Sequence, residues 1–324
     1  MAFSNTYNVT NPGSGVSNRE DLTDVLTILA PEETPVLSLA NKSKATGTFN
    51  EWTVDVLATP SATGIQEGAD ISSFTDKFTG RARLGNYIQL FRRDFMVSQL
   101  QQAVESVGPA KIAEAEAKGV REIKRDMEKV LCGDQDRSVE DGSSARYVSR
   151  GLGLWTSNTP GSDVPSGFRT PTASIHGTGT LTENAFNGLI ASIYTQTGTV
   201  DKLSLVAGTV LRRTISGFAR SDNNTNENVY HVNQMATDKE ITLSVNTYDS
   251  DFGIITVING NPACLPDSSR GYIINPDYLG VAELMSLGST RVPDQGGGQR
   301  GFVDAAAGLQ VFSPLAHGKI TVVS

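Results

Sequence analysis

The chain has 324 residues, a formal net charge of −8 and 38% hydrophobic residues, enough for a sizeable core and up to two domains. Its 32 glycines and 19% charged residues indicate an ordered, loop-rich α+β protein. The acidic balance argues against a dedicated nucleic-acid-binding protein, which normally carries a basic face, but not against one that only encloses nucleic acid. The two cysteines, Cys132 and Cys264, are too few for a disulfide-stapled secreted domain, so we expect free thiols.

The N-terminal residues 1–18 are polar and rich in Gly, Asn and Ser, which predicts a flexible arm. A short amphipathic helix is predicted next, because Ser17 and Glu20 have the spacing of a capping box and Pro31 ends the apolar pattern. The sequence shows neither a signal peptide nor an apolar segment approaching the roughly 20 residues of a membrane span. We therefore expect no membrane partner.

Two segments of alternating polarity, residues 48–57 and 78–97, predict a long two-stranded ribbon joined by a large polar loop. One face of the first strand is apolar and consists of Trp52, Val54 and Val56. An isolated two-stranded ribbon is barely stable in water. We therefore expect that another surface covers this apolar face.

The ribbon also carries charges of opposite sign on its two strands. Glu51 and Asp55 lie on the first strand, and Arg81 and Arg83 lie on the returning strand. Cross-strand ion pairs are therefore predicted, each contributing about 0.2–1 kcal/mol. That is too little to hold the ribbon rigid alone.

A long helical segment is predicted over residues 98–131, opened by Ser98 and Gln101 as a capping box and kinked or divided at Gly108-Pro109. Its apolar stripe consists of Val120, Ile123, Met127 and Val130. The remaining face mixes charges, including the i,i+4 pair Lys124 and Glu128. Such a face is predicted to be solvated, with contacts to another subunit as the alternative.

Residues 133–181 are dense in Gly, Ser, Thr and Pro, which predicts irregular β structure with exposed excursions. Regular alternation resumes afterwards. We predict, in order, a helix capped by Thr182, a strand at 203–208, a helix at 210–219, a hairpin at 241–258, and strands at 271–276 and 309–323. The Gly-rich segment at 294–301 is predicted to be a mobile loop.

The sequence offers no recognisable catalytic or metal-binding motif. His176, His231 and His317 have no zinc-site spacing, and neither a nucleophile elbow nor a phosphate-binding loop occurs. We therefore expect a protein that is not an enzyme and that uses no cofactor and no metal.

Several segments resemble the major capsid proteins of tailed bacteriophages with the Hong Kong 97 fold. The segments that carry the resemblance are ETPVLSLANKSKATGTFNEWTVDVLATP (33–60), EGAD (67–70), RARLGNYIQLF (81–91), EIKRDMEKVLCG (122–133) and LQVFSPLAHGKI (309–320). The resemblance implies an α+β capsid fold with an N-terminal arm, an extended E-loop ribbon, a peripheral domain with a long spine helix, and an axial αβ domain.

The resemblance also implies boundaries for these parts. It assigns residues 1–45 to the arm, 46–97 to the E-loop, 98–181 to the peripheral domain with its spine helix at 98–131, 182–270 to the axial domain, and 271–324 to segments that complete the sheets of both domains. Intersubunit contacts would then come from the ribbon and its tip. The candidate contact residues are Trp52, Val54, Val56, Glu51, Asp55, Glu67, Arg81 and Arg83.

The function that the resemblance implies is assembly, not catalysis. Subunits would form the hexamers and pentamers of an icosahedral head that encloses double-stranded DNA without sequence-specific binding, in the virion after assembly in the host bacterial cytoplasm. The expected partners are a separate scaffolding protein, implied by the short arm, a portal, and a decoration protein. Two alternatives remain at this point. One is an encapsulin-like compartment shell, and the other is a soluble αβ enzyme or binding module.

Overall fold

The computed structural model describes residues 33–322, apart from 72, 79, 105–110, 178, 201, 219–245 and 294–295. The predicted arm and its helix ending at Pro31 therefore lie outside the described residues. The described helices are α1 Pro35–Leu39, α2 Gln99–Ala103, α3 Lys111–Cys132, α4 Leu152–Trp155, α5 Glu183–Thr197 and α6 Thr209–Phe218. The described strands are β1 Asn41–Lys44, β2 Phe49–Val54, β3 Ala82–Tyr87, β4 Gln89–Ser98, β5 Ile175–His176, β6 Ser204–Ala207, β7 Thr247–Ser250, β8 Gly253–Asn259, β9 Arg270–Ile274, β10 Leu279–Val292, β11 Gly298–Val311 and β12 Gly318–Thr321.

The strands form three sheets. One has four strands in the order β1-β10-β11-β4, one has six strands in the order β5-β12-β9-β6-β8-β7, and the third is the two-stranded β2-β3 ribbon. The C-terminal segments are divided between the larger sheets, because β10 and β11 belong to the four-stranded sheet and β9 and β12 to the six-stranded one. The chain therefore crosses between the two larger sheets twice near its end.

Helix α3 packs on the four-stranded sheet through the predicted apolar stripe. Ile123 and Met127 are buried, and Val120 and Val130 pack against the same core. The predicted cap is present as well, since the Gln101 amide donates a hydrogen bond to Ser98 Oγ at 3.1 Å. The capped helix α2 ends at Ala103, while Gly108-Pro109 lies outside the described residues.

The predicted returning strand at 78–97 is in fact two strands in different sheets. Strand β3 pairs with β2, whereas β4 pairs with β11. The chain changes sheets at Ile88, whose amide donates to the Thr48 carbonyl at 2.9 Å and whose side chain is buried with Ala45, Ala282 and Ala306. The ribbon is consequently shorter than its alternation predicts, and β4 is an edge strand of the four-stranded sheet.

The Gly-rich segment predicted to be a mobile loop is partly a strand. Residues Gly298–Gly301 pair with Ser98–Phe95 of β4. A Cβ atom at Gly301 would lie 2.6 Å from the Phe95 ring and 2.7 Å from the Thr290 carbonyl oxygen. Glycine is therefore required there by close approach to both neighbouring strands, not by flexibility.

The six-stranded sheet forms the second core with α5 and α6. The four predicted inward residues of α5, Phe186, Leu189, Ile190 and Ile193, are all buried. The predicted cap is confirmed by the hydrogen bond from the Ala185 amide to Thr182 Oγ1 at 3.2 Å. The predicted hairpin at 241–258 is present as β7 and β8, which turn between Ser250 and Gly253, while its residues 241–245 lie outside the described residues.

The irregular segment 133–181 contains one exposed excursion, as predicted, at residues 139–144, but the residues that follow it are largely buried or half-buried. Trp155 is fully buried and Arg150 is 1% exposed. The guanidinium of Arg150 makes two hydrogen bonds to Asp163 at 2.8 and 3.0 Å and one to Asp136 at 2.6 Å. This segment is held by side-chain hydrogen bonds in place of a regular backbone ladder, which explains how it is ordered despite its loop-like composition.

Candidate functional site

The base of the ribbon is a regular antiparallel ladder. Phe49 pairs with Tyr87 and Val54 with Ala82 at its two ends. The rings of Phe49 and Tyr87 lie 4.6 Å apart, and Tyr87 also contacts Tyr147 at 5.7 Å. The ribbon is thus anchored to the irregular segment of its own chain.

The predicted cross-strand ion pairs are confirmed. Arg81 Nε lies 2.8 Å from Asp55 Oδ2, and Arg83 Nη1 lies 3.7 Å from Glu51 Oε2. All four side chains are between 40% and 72% exposed, so each pair contributes at most about 1 kcal/mol. These pairs set the register of the ribbon more than they stabilise it.

The prediction that a neighbouring subunit covers Trp52 is wrong. Trp52 is 8% exposed in the single chain and its ring centroid lies 5.8 Å from that of Trp155. Val54 packs against the same core, and only Val56, at 52% exposed, extends beyond it. Helix α4, which the sequence pattern did not place near the ribbon, provides the cover. The ribbon base is therefore part of the subunit's own core.

The segment beyond the base, residues 55–81, contains no described helix or strand. Glu67 lies exposed in its middle. Interpreting this loop as simply polar missed its apolar residues, which stand isolated among Ser, Thr and Gly with no periodicity. Large apolar side chains that are at least 63% exposed lie along it at Leu57, Ile65, Ile71, Phe74 and Phe78. This density of exposed apolar groups on one loop is unusual for a monomer.

Glu128 lies in the core, not on the solvated face of α3 as predicted. Its carboxylate accepts hydrogen bonds from the amides of Val36 at 2.9 Å and Leu37 at 2.8 Å, in the first turn of α1. Burial raises the pKa of Glu128, although these two hydrogen bonds oppose the shift. The carboxylate joins the segment at the start of the described chain to the long helix.

Three buried groups of the described chain, two thiols and one imidazole, have pKa values that burial shifts toward their neutral forms. Burial raises the pKa of the Cys264 thiol to about 11 and that of Cys132 well above its usual value. Burial also lowers the pKa of His317 to about 4. No group of three or more metal-ligating side chains occurs among the described residues. Likewise, none of the helices within the described ranges is long and apolar enough to cross a bilayer.

The fold matches solved capsid structures over nearly the whole chain. A chain of Mycobacterium phage Adephagia is 14% identical with a TM-score of 0.61, covering 100% of this chain and 99% of that one. The capsid of an empty GTA particle is 12% identical with a TM-score of 0.65, and all of each chain is covered. The capsid of cyanophage A-1(L) is 16% identical with a TM-score of 0.62, covering 94% of this chain and 97% of that one. These likenesses show the fold, which is the Hong Kong 97-like capsid type.

No curated protein matches the sequence. The family model described as SU10 major capsid protein matches residues 3–324. Neither the compartment-shell alternative nor the enzyme alternative is supported by this match. The chain belongs to the SU10 major capsid protein family and is a structural capsid protein of a phage virion.

Proposed function

We propose that this subunit builds an icosahedral phage head from hexamers and pentamers, and that the loop 55–81 of each subunit packs on the next. The observation that carries the proposal is the row of exposed apolar side chains on a loop whose base is fixed. The packing of Trp52 on Trp155 holds the base, while Leu57 is 99% and Phe74 88% exposed. A loop with a fixed base and exposed apolar side chains can pack these side chains against the surface of another subunit.

The energies involved suit shell assembly. Burying one large apolar side chain contributes about 1.5–3 kcal/mol. The five side chains of the loop would together contribute about 7–15 kcal/mol, which is similar to the roughly 4–15 kcal/mol that association costs, so the net contact between two subunits is modest. The same contact repeated around a closed shell stabilises the whole particle. Glu67 and the exposed ion pairs would contribute mainly to the register of the contact.

The parts of the subunit follow the capsid architecture. We propose residues 1–45 as the arm, 46–97 as the E-loop, 98–181 as the peripheral domain, 182–270 as the axial domain and 271–324 as the returning segments. The pairing of β4 with β11 supports one refinement, which is to count residues 89–97 with the peripheral sheet. The E-loop then ends where the chain changes sheets at Ile88.

The proposed partners are other copies of the chain, a scaffolding protein, a portal and a decoration protein. The head would enclose double-stranded DNA without reading its sequence, and assembly would take place in the host cytoplasm. Membership of a major capsid family supports this set of partners. The net charge of −8 supports enclosure without a dedicated base-reading surface.

Replacing residues 58–77 with a short Gly/Asn turn tests the proposal. The melting temperature of the free subunit should stay nearly unchanged, because Trp52 and both ion pairs lie outside the deleted part. Shell formation, followed by size-exclusion chromatography and negative-stain microscopy, should be lost or grossly aberrant. Normal particles from this variant would contradict the proposal.

A second variant separates loop chemistry from loop length. Exchanging Ile65, Ile71 and Phe74 for Ser keeps the length and removes apolar contact, so it should also impair assembly. The matched control exchanges Ser61, Thr63 and Ser73 for Ala in the same loop and should assemble normally. Equal assembly of the two variants would show that the apolar side chains are not the contact.

A further inference from the structure

The acidic and basic side chains of α3 differ in whether they contact other elements of the subunit. Three of its acidic side chains are engaged by other elements: Glu116 with Arg291 at 3.0 Å, Asp126 with Arg93 at 2.7 Å, and Glu128 with the amides of α1. The carboxylates of Glu116, Asp126 and Glu128 therefore lie toward the sheet or toward α1. They add little negative charge to the side of the helix that faces away from these elements.

The charged side chains of α3 that are exposed are all basic: Lys118, Arg121, Lys124 and Lys129. Three basic residues, Lys118, Arg125 and Lys129, are seven and four positions apart and therefore lie on one side of the helix. They span about 17 Å along the axis at about 1.5 Å per residue. We call these three residues the α3 basic face. Glu114 and Glu122 lie on the same side and, like Arg125, are half-buried, so the three basic residues exceed the acidic ones by one charge.

A cleft of about 380 Å³ lies beside the C-terminal half of this face. It is lined by Arg93, Glu122, Arg125, Asp126, Lys129, Ala263 and Cys264. The guanidinium of Arg93 is engaged by both carboxylate oxygens of Asp126 at 2.7 and 2.8 Å. By contrast, Arg125 Nε is buried without a hydrogen-bond partner among the described residues. Because Nε is covered, an oxyanion in the cleft would contact the part of the Arg125 guanidinium that lines it together with the exposed Lys129 ammonium, and both groups bind phosphate oxygens.

We infer that the α3 basic face binds the phosphate backbone of double-stranded DNA held inside the shell. The inference rests on the proposed function, which supplies the DNA. The three cations lie about 10.5 and 6 Å apart along the helix axis, so each can lie near a different phosphate of one duplex, in which phosphates recur about every 3.4 Å of rise on each strand. Exposed lysines contact phosphates as point charges, so the contact carries no sequence information.

DNA suits this face better than the loop 55–81 of a second copy. That loop exposes large apolar side chains such as Ile65 and Phe74, which require apolar cover. The exposed uncharged residues of α3 are Ala113 and Ala117, which offer little apolar area. Because the whole chain is acidic, DNA is repelled by most of its surface. A local basic helix face is the part of the surface where electrostatic repulsion of DNA is smallest.

The test measures the salt dependence of DNA binding by unassembled full-length subunits. A fluorescent 20-base-pair duplex is titrated at 50 and 200 mM salt, with wild type and the triple variant Lys118→Gln/Arg125→Gln/Lys129→Gln. Three phosphate contacts steepen the dependence of log affinity on log salt by about 2.7. Affinity should therefore fall about 40-fold more between the two salts in wild type than in the variant. Equal salt dependence would overturn the inference.

The matched control, Lys42→Gln/Lys44→Gln/Lys202→Gln, removes the same charge from elements other than α3 and should keep the wild-type salt dependence. A charge-conserving variant, Lys118→Arg/Lys129→Arg, should keep it as well. Loss of binding in that variant would contradict a phosphate contact. Particle formation is scored separately. If the α3 triple variant binds DNA normally but fails to form particles, the face contacts another subunit and the inference is wrong. Failure of the proposed function would appear instead in the loop variants.

Discussion

Arg150 shows how a single residue orders a segment that has little regular structure. Its guanidinium lies between Asp136 and Asp163 and stacks on the Trp155 ring, with Cζ 4.8 Å from the ring centroid. Trp155 in turn packs on Trp52 of the ribbon. One buried cation therefore connects the irregular segment to the base of the candidate intersubunit loop.

Replacing Arg150 with Met should lower the free energy of unfolding of the free subunit by about 3 kcal/mol. This is the lower end of the range for breaking a buried ion pair, because Asp136 and Asp163 are partly exposed. Urea unfolding at pH 7 measures it. The control is Lys202→Met, which removes an exposed pair with Asp277 and should change the same quantity by less than about 1 kcal/mol. Equal effects would show that burial of Arg150 is not the cause.

Residue-level prediction from sequence succeeded where local geometry decides the contact. Strand alternation alone placed Glu51 and Asp55 opposite Arg81 and Arg83, and the structure then shows which carboxylate pairs with which arginine. It failed for Trp52 and Glu128, whose partners come from elements distant in sequence. A Glu at i+4 from a Lys has the same spacing whether it is solvated or, like Glu128, binds the amides of another helix. No local pattern distinguishes the two situations.

At the scale of elements, α1 and β1 form a strap across the subunit. Glu128 holds the amides of Val36 and Leu37, and Asn261 donates to the Glu33 carbonyl at 2.8 Å. Strand β1 then pairs in parallel with β10. The strap is thus fixed to α3 at one end and to the edge of the four-stranded sheet at the other.

Replacing Glu128 with Leu should destabilise the subunit by about 1–2 kcal/mol, because two amides lose their acceptor while a buried charge is removed. Hydrogen exchange of residues 36–44 should accelerate more than exchange in the six-stranded sheet. The control, Glu114→Leu on the same helix, should leave the strap protected. Uniform acceleration across the chain would instead indicate global destabilisation.

The pH dependence of this strap contact has a definite sign. The pKa of Glu128 is raised in the folded chain, so its contribution is complete below its unfolded pKa of about 4.5 and is lost as pH rises through the folded value. The stability difference between wild type and Glu128→Leu should therefore narrow from pH 4 to pH 7. A stability difference that widens from pH 4 to pH 7 would contradict a raised pKa of Glu128 in the folded chain.

Element prediction worked best for the helices and buried strands of the six-stranded sheet, where period and caps agree. Strand β10 was missed because its pairing with β11 shifts register between Glu283 and Met285 and again before Gly288. Each irregularity interrupts the two-residue alternation on which strand prediction depends. Much of β11 was missed for another reason, since Gly and Ala dominate its sequence and most of its residues are buried. The register shifts of β10 and the burial of β11 both depend on neighbouring strands, so the local sequence does not reveal them.

At the scale of the whole molecule, the two larger sheets meet where the chain crosses between them. The crossings run from β9 to β10 and from β11 to β12. His317 bridges them, since its Nδ1 accepts from the Asn275 amide and its Nε2 donates to the Tyr278 carbonyl, both at 3.3 Å. Nearby, Asp134 accepts from Arg270 at 2.8 Å and from Lys319 at 2.9 Å. The end of α3 is thereby tied to the six-stranded sheet.

Both groups make this junction sensitive to acid. Burial raises the pKa of Asp134, but hydrogen bonds from Lys319 and Arg270 outweigh it and the net shift is downward. That stabilisation is present above an unfolded pKa of about 3.8 and is lost as pH falls through the folded value. His317 acts at higher pH, because its pKa is lowered to about 4 from 6.5. The unfolded chain therefore takes up this proton first.

Replacing His317 with Asn should change how stability depends on pH. Wild type should lose up to about 3 kcal/mol from this residue between pH 6.5 and pH 4, because neutral His317 must be charged on unfolding. The variant has no histidine at this position, so its stability lacks this dependence on pH. It should be less stable than wild type at pH 7.5, and the difference should close as the pH falls. Urea unfolding of free subunits at pH 7.5, 5.5 and 4.5 measures the difference.

Thr170→Val is the matched control at the same junction. Thr170 donates to the Pro314 carbonyl at 2.9 Å and does not titrate, so its loss should destabilise the subunit by about 1 kcal/mol equally at all three pH values. If His317→Asn behaves like Thr170→Val, with a constant difference from wild type, then His317 contributes only packing and hydrogen bonds. If the difference closes with acid in His317→Asn alone, the crossing between the two sheets is where protonation first loosens the subunit.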